Sequence, residues 1–449
     1  MSARGEFSSR IGFVLAAAGS AVGLGNIWGF PTQVASNGGA AIVLVYILLA
    51  FVLAYPVLMA ELIIGRATRA NMVDALGKIS GSRLGKATGV WGFITVSMIL
   101  AFYAIVAGWM VAYFLESITQ IVGWDTASTW LTESSIARSL IFCGVFLALT
   151  ALIVTGGVSG GIERWSVRLM PTLILIIVLL IVYVSTLDGA MAGWKAYLLP
   201  DFSLVFDADL LISAMGQAFF SMSLGVGTML VYGSYVSKDE NLPVLGASVA
   251  LVDIGVAILA GMLIIPAMYV ALNNGVQIFA ENGEFIAGDS LIFTVLPSLF
   301  ETMGVVGNFV AFGFFALMII AALTSSISML EVPVAYVVES KGLGRTKAVW
   351  LLSFVIFLAS SIIIFNFEKL FGLVISLTTQ YSQPLLGLAL CIFVGWVWKR
   401  DQILTELKQG NPGAEHSLFW KIWPWYLRFV CPVIIIFMFL RSLDILAVG

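Results

Sequence analysis

The stretch AGSAVGLGNIWGFP (18–31) sets Gly19, Gly23 and Gly25 beside Ser20, Asn26 and Pro31 inside an apolar run. Glycine gains freedom by leaving a helix, and proline removes a helical donor. A helix opened here presents carbonyl oxygens, hard ligands for an alkali cation. Its freed amides suit a carboxylate at the start of the next half-helix. Ser20 and Asn26 add side-chain oxygens. The competing reading is close helix packing through small residues. A second stretch, AALTSSISM (321–329), spaces Ala321, Thr324 and Ser325 so that they share one helix face. One carbonyl and two hydroxyls there could also hold an alkali cation, although such hydroxyls equally bond back to their own helix.

Two acids, Glu61 and Asp253, lie deep in apolar runs, where a carboxylate is expensive and calls for a partner. For Asp253, in SVALVDIGVAILAG, the natural partner is a cation. Glu61 has a structural alternative, accepting hydrogen bonds from the opened backbone of the first run.

The elements that must position these groups follow from composition. Of 449 residues, 60% are hydrophobic and 10% charged, against roughly 25% charged in a soluble domain. A membrane-spanning helix takes about 20 apolar residues. Eleven stretches qualify: 11–35, 40–65, 88–119, 136–155, 165–187, 208–235, 243–273, 303–338, 347–365, 371–397 and 419–444. The fold expected is therefore an all-α polytopic membrane protein in the lipid bilayer; a β-barrel would show short alternating segments. The first run is too long and too interrupted for a cleaved signal peptide.

With the N-terminus inside, the inner loops hold 17 of the 22 basic residues, Arg66 among them. Arg138, Lys195, Lys369 and Arg441 fall outside, and Arg428 lies within the last span. The positive-inside rule then places the N-terminus in the cytoplasm and the C-terminus outside. A net charge of −3 gives no reason to expect a nucleic-acid partner. Cys143, Cys391 and Cys431 lie in spans without metal spacing and read as small buried hydrophobes. His416, the single histidine, sits in the last inner loop. Neither a His-based metal site nor a His general base is available in the membrane, and an enzyme is not expected.

The break in the first span is echoed in the sixth by FFSMSLGVGTM (219–229). Paired breaks in corresponding positions mark transporters built from repeats, and five spans per half invert the second half in the membrane. The organisation read is a cytoplasmic segment 1–10, a first inverted repeat 11–187, a second 188–397, and a cytoplasmic loop with an eleventh span, 398–449. The connection 274–302 reads as a folded outer cap rather than a solvated loop.

RIGFVLAAAGSAVGLGN, GQAFFSMSLGVG, GGIERW…MPTL and AALTSSI, in this order along nearly the whole chain, resemble the bacterial branch of the neurotransmitter:sodium symporter family. The resemblance implies the five-plus-five inverted-repeat fold with an eleventh helix, and spans 1 and 6 unwound at mid-membrane. It implies one sodium site from Gly19, Val22, Ala321, Thr324 and Ser325. A second would use Ala21, Asn26, Ser221 and Asp253, completed by the substrate carboxylate. Animal members carry asparagine at the Asp253 position and use chloride nearby, so Asp253 implies that chloride is not required. The substrate pocket implied is lined by Ala21, Gly23, Leu24, Gly25, Tyr103, Phe220, Ser221, Ser223, Val226, Ser325 and Met329. Monoamine members place an aspartate where Gly23 stands, so an amino acid is implied, and the lining suits an apolar side chain.

The resemblance also implies an inner gate, Arg4 with Glu339, supported by Ser234 and Tyr235, with Phe7 where a tryptophan is usual. Gly161 and Pro171 match the motif that unwinds span 5 during inward opening. One departure stands out. Gly29 replaces the family's outer-gate arginine, and 371–397 contains no acid to pair with one. The function expected is a plasma-membrane symporter importing an amino acid with sodium by alternating access. The alternatives are a non-transporting amino-acid sensor on the same scaffold and a channel.

Overall fold

The computed structural model describes residues 5–279, Ile286 and 290–443. Among them the chain is helical, with no β-strand. Nine helices among the described residues are long and apolar enough to cross a membrane: Ala40–Thr68, Arg83–Val122, Ile136–Thr155, Val158–Ser185, Leu242–Asn273, Val305–Lys341, Arg345–Phe365, Phe367–Val397 and Leu418–Arg441. They are spans 2–5 and 7–11. The other two expected spans are the interrupted ones. Span 1 is a pair, Arg10–Ala21 and Gly25–Ser36, bent by 55°. Span 6 is Ala208–Ser221 followed, beyond residues 222–227, by Thr228–Gly233.

Local chemistry sets the helix ends. Ser9, Ser82, Ser135 and Asn241 each accept a hydrogen bond from an amide of the first turn that follows. Span 3 stops at Gly123, whose φ of 76° is left-handed and open to glycine. On span 9, Leu351, Phe354, Val355, Leu358 and Ile362 form one exposed apolar stripe. Such a stripe in water would be an aggregation surface, and in a bilayer it is the lipid face.

The functional residues sit where the interrupted spans meet the long ones. Span 8 packs along span 3 and against spans 1, 4, 5 and 9. Both pieces of span 6 lie on span 2, and span 1 packs on spans 5, 7 and 8. In the 274–302 connection, Leu291–Val295 and Leu296–Thr302 are helical and bury Leu291, Ile292, Val295, Leu296 and Leu299. Residues 280–285 and 287–289 of that connection lie outside the described residues.

Several of the expected loop charges lie within helices, and one of them is fully buried. Arg66 is fully buried at the end of span 2, where Nε pairs with Glu406 Oε1 at 2.6 Å. Its other nitrogens donate to the backbone carbonyls of Glu240 and Glu406. A cation leaving water needs such partners; the helix Arg400–Gly410, between spans 10 and 11, supplies two of the three and the turn before span 7 the third. The three cysteines are buried.

Candidate functional site

The first break follows from the sequence around it. Val22, with ψ 106°, ends the first half-helix, and residues 22–23 are non-helical. Gly23 stands where a Cβ would come within 2.4 Å of Ser325 Oγ and 3.0 Å of Tyr103 Oη. No larger residue fits that approach without displacing both. The second break turns through left-handed Ser223, Gly225 and Gly227. A Cβ on Gly225 would lie 2.5 Å from the Gln383 carbonyl oxygen, so span 10 touches the opened backbone directly.

Glu61 corrects the sequence reading. It satisfies the opened backbone of span 6, not of span 1. Oε1 accepts from the Gly225 amide at 2.7 Å and Oε2 from the Leu230 amide at 3.1 Å. Ser20 also departs from expectation. Its hydroxyl donates to Ser328 Oγ at 2.6 Å, away from both proposed ion sites.

Five groups named for one sodium site come together. Ser325 Oγ lies 3.3 Å from the Gly19 carbonyl oxygen and 3.0 Å from that of Val22. Thr324 bonds back to its own helix, its hydroxyl donating to the Ala321 and Ile320 carbonyls at 3.0 and 3.2 Å, and a Cβ on Gly19 would lie 3.0 Å from Thr324 Cβ. All five are neutral oxygens, the donor type a hard monovalent cation takes. The other set forms a buried polar knot. Asn26 Nδ2 donates to Asp253 Oδ1 at 2.7 Å and to Ser221 Oγ at 2.9 Å, and Ser221 donates to Asp253 Oδ2 at 2.8 Å. Asn26 Oδ1 accepts from the Gly23 amide at 3.2 Å, closing the knot on the first break. Tyr46, missing from the sequence reading, lies with its hydroxyl 3.1 Å from Ser221 Oγ and 3.5 Å from Asp253 Oδ2. A buried tyrosine needs a partner for its hydroxyl, but nothing in an apolar span 2 marks which one.

Between the two sets lies a cavity of about 40 Å³. Ala21, Gly23, Leu24, Gly25, Tyr103, Phe220, Ser221, Ser223, Val226, Ser325 and Met329 all line it, joined by Ile99, Phe102 and Gln383. The Leu24 amide lies 3.4 Å from Tyr103 Oη. Phe220 and Gln383 are shared with a larger chamber of about 450 Å³, whose wall includes Gly29, Gln33, Gln217, Gln380 and Arg441. Gln217 donates to the Gly25 carbonyl at 2.7 Å, and Arg441 pairs with Asp209 at 2.7 Å. Amides thus surround the place where an arginine is usual.

At the N-terminal face, Glu339, Ser234 and Tyr235 of the expected gate are among the described residues. Arg4 lies outside the described residues. Glu339 accepts from the Asn71 amide at 2.9 Å, and the Ser234 hydroxyl donates to the Val231 carbonyl. Tyr235 donates to Glu331 Oε1 at 2.7 Å, and Arg345 grips the same carboxylate at 2.6 and 3.1 Å. The sequence reading passed over Glu331, although an acid six residues beyond Ser325 in an apolar run carried the same signal as Glu61. It also passed over Glu163. That buried carboxylate accepts from the amides and hydroxyls of both Ser8 and Ser9, at 2.7–3.2 Å. Gly161, two residues earlier, would bring a Cβ within 2.1 Å of the Ile153 carbonyl oxygen, and Pro171 lies inside the helix that follows.

Broken spans meeting around a small cavity, with oxygen donors on either side, define a multi-pass membrane transporter rather than an enzyme. The model of the sodium:neurotransmitter symporter family matches residues 4–141 and 134–447, and the chain belongs to that family. It is 34% identical over 458 residues to the uncharacterized sodium-dependent transporter YhdH of Bacillus subtilis, covering 98% of each chain. An uncharacterized sodium-dependent transporter of Haemophilus influenzae is 33% identical, again over 98% of each. The crystal structure of MhsT in complex with L-phenylalanine superposes with a TM-score of 0.82 at 35% identity, covering 98% of this chain and all of MhsT.

Proposed function

We propose that this sodium-dependent transporter imports an amino acid with an apolar side chain, together with sodium, by alternating access. The carrying observation is the cavity at the two breaks. Leu24, Ile99, Phe102, Phe220, Val226 and Met329 give it apolar walls, and no charged side chain is among its lining residues. A substrate there must bring its own carboxylate, to be met by the freed amides of the second half-helix, by Tyr103 and by a sodium ion. The likeness to MhsT with phenylalanine supports the same class.

Two sodium ions ride with the substrate, one at Gly19, Val22, Ala321, Thr324 and Ser325, the other at Ala21, Asn26, Ser221 and Asp253. Asp253 supplies the fixed negative charge, so chloride is not required. Each sodium contributes about 2.3 kcal/mol per 100 mV of membrane potential, besides its gradient. The two halves, 11–187 and 188–397, act as inverted repeats, with the N-terminus cytoplasmic. Inward opening separates Arg4 from Glu339 and unwinds span 5 between Gly161 and Pro171.

Vesicles holding the purified protein test this. An inward sodium gradient should accumulate leucine or phenylalanine, equally with gluconate or chloride as counter-ion. Sodium-dependent binding without accumulation would make the protein a sensor. Flux without coupling would make it a channel. A strict chloride requirement would remove the role given to Asp253.

A further inference from the structure

Arg428 stands inside span 11, yet among the described residues no acid pairs with it. Its guanidinium carbon lies 4.0 Å over the ring of Trp396 and 5.5 Å over that of Phe429. Its Nε is shut away from solvent with no hydrogen-bond partner. Gly395 makes the approach possible, because a Cβ there would lie 2.9 Å from Arg428 Cα. Arg400 is placed alike, 5.1 Å over the ring of Trp420. Among the described residues neither arginine forms an ion pair. The acids of the connecting segment are engaged elsewhere, Glu406 with Arg66 and Glu415 with Lys408, and Asp401 makes no ion pair.

Both arginines line one crevice of about 60 Å³, together with Gly395, Trp398, Trp423 and Trp425. Trp396, which donates to the Arg428 carbonyl at 3.1 Å, is at the end of span 10, Phe367–Val397. Arg428, eleven residues into span 11, is therefore level with the end of span 10, and its tryptophan neighbours are of the type that gathers where lipid headgroups lie. From the crevice a stripe of exposed apolar residues, Phe429, Val433, Ile436 and Phe437, runs along span 11 into the hydrocarbon.

We infer that the junction of spans 10 and 11 binds an anionic phospholipid, its phosphate held by Arg428 and Arg400 and its acyl chains laid along span 11. Stacking uses the flat face of a guanidinium and leaves the N–H groups at its edge, whose spacing matches two phosphate oxygens. An arginine at this depth calls for an anion, and the bilayer is the nearest source. The crevice has room for phosphate oxygens, since about 10–15 Å³ of such space holds one water. The rest of the lipid lies outside, over the apolar stripe.

The test uses the full chain in neutral detergent micelles, titrated with dioleoylphosphatidylglycerol, dioleoylphosphatidylcholine or inorganic phosphate, with the apparent melting temperature followed. Spin-labelled lipids in vesicles of phosphatidylcholine give a second readout, the motionally restricted fraction. Phosphatidylglycerol should be preferred over phosphatidylcholine by roughly fivefold per arginine. Arg428→Gln and Arg400→Gln should each lose one such factor, and Arg428→Lys should keep part of it. Should Arg428→Gln fail to fold, Arg400→Gln at the exposed rim decides. Equal response to both lipids, or variants that respond like the parent, overturns the site. Stabilisation by inorganic phosphate alone overturns the lipid and leaves a soluble-anion site.

Discussion

At Gly23 a single methyl group separates a working cavity from a blocked one. The would-be Cβ falls 2.4 Å from Ser325 Oγ, the atom that bridges the Gly19 and Val22 carbonyls. Gly23→Ala should thus push Ser325 out of one sodium set while narrowing the amino-acid cavity. The expected outcome is a rise of at least roughly tenfold in the sodium concentration for half-maximal uptake, since misplacing one ligand by an ångström has that scale of effect. Sodium titration of uptake in vesicles measures it. Asp253 carries the opposite kind of sensitivity, of charge and not of space. Asp253→Asn should abolish uptake in sodium gluconate, with part of it restored by chloride; full activity in gluconate would move the fixed charge elsewhere. Gly29→Arg would start its side chain 3.3 Å from Gln217 Oε1, beside amides and no acid of span 10. It should weaken competition by tryptophan and phenylalanine more than by alanine, measured against a transported tracer. Gly23, Gly25, Asn26 and Asp253 were legible because an apolar span seldom tolerates such types without a use, whereas Leu24, Phe220, Val226 and Met329 came only from the family resemblance. Tyr46 was not legible, because aromatic rings are ordinary in such spans and its hydroxyl partner is on span 7.

The two interrupted spans were legible as elements from glycine, serine and proline. Which carboxylate served which break was not. Glu61 could reach either by sequence alone, and only the packing of span 6 on span 2 assigns it to Gly225 and Leu230. Glu61→Gln would set an amide N–H against one of those backbone N–H groups. The expected loss is about 1–3 kcal/mol for a buried donor left without an acceptor, read by denaturation in micelles. At the other end, Glu163 ties the entry of span 1 to the first turn of span 5. Four donors from Ser8 and Ser9 converge on it, so the unwinding of span 5 proposed above would have to break this contact or carry the N-terminal segment with it. Glu163→Ala should raise the labelling rate of a cysteine placed at Ser234 from the N-terminal face, with or without sodium. An unchanged rate would reduce this contact to a helix cap.

Seen whole, the molecule closes its N-terminal face with one pair between consecutive helices, Glu331 with Arg345, and two between distant parts of the chain, Glu163 with Ser8 and Ser9, and Arg66 with Glu406. Breaking the last by Arg66→Ala strands Glu406 and should destabilise by about 3–5 kcal/mol. That pair has a further consequence, for biosynthesis. Arg66 and Glu406 are 340 residues apart. At the usual pace of translation, about 5–20 residues per second, Arg66 waits from some twenty seconds to a minute for its counter-charge. During that time span 2 carries an uncompensated cation at its end, which holds that end in water and keeps the bundle from sealing. Spans 10 and 11 thus arrive as the closing step of assembly. Ribosome-bound chains ending before Glu406 should be open to protease at residues 66–70, and chains extended well past it should be protected.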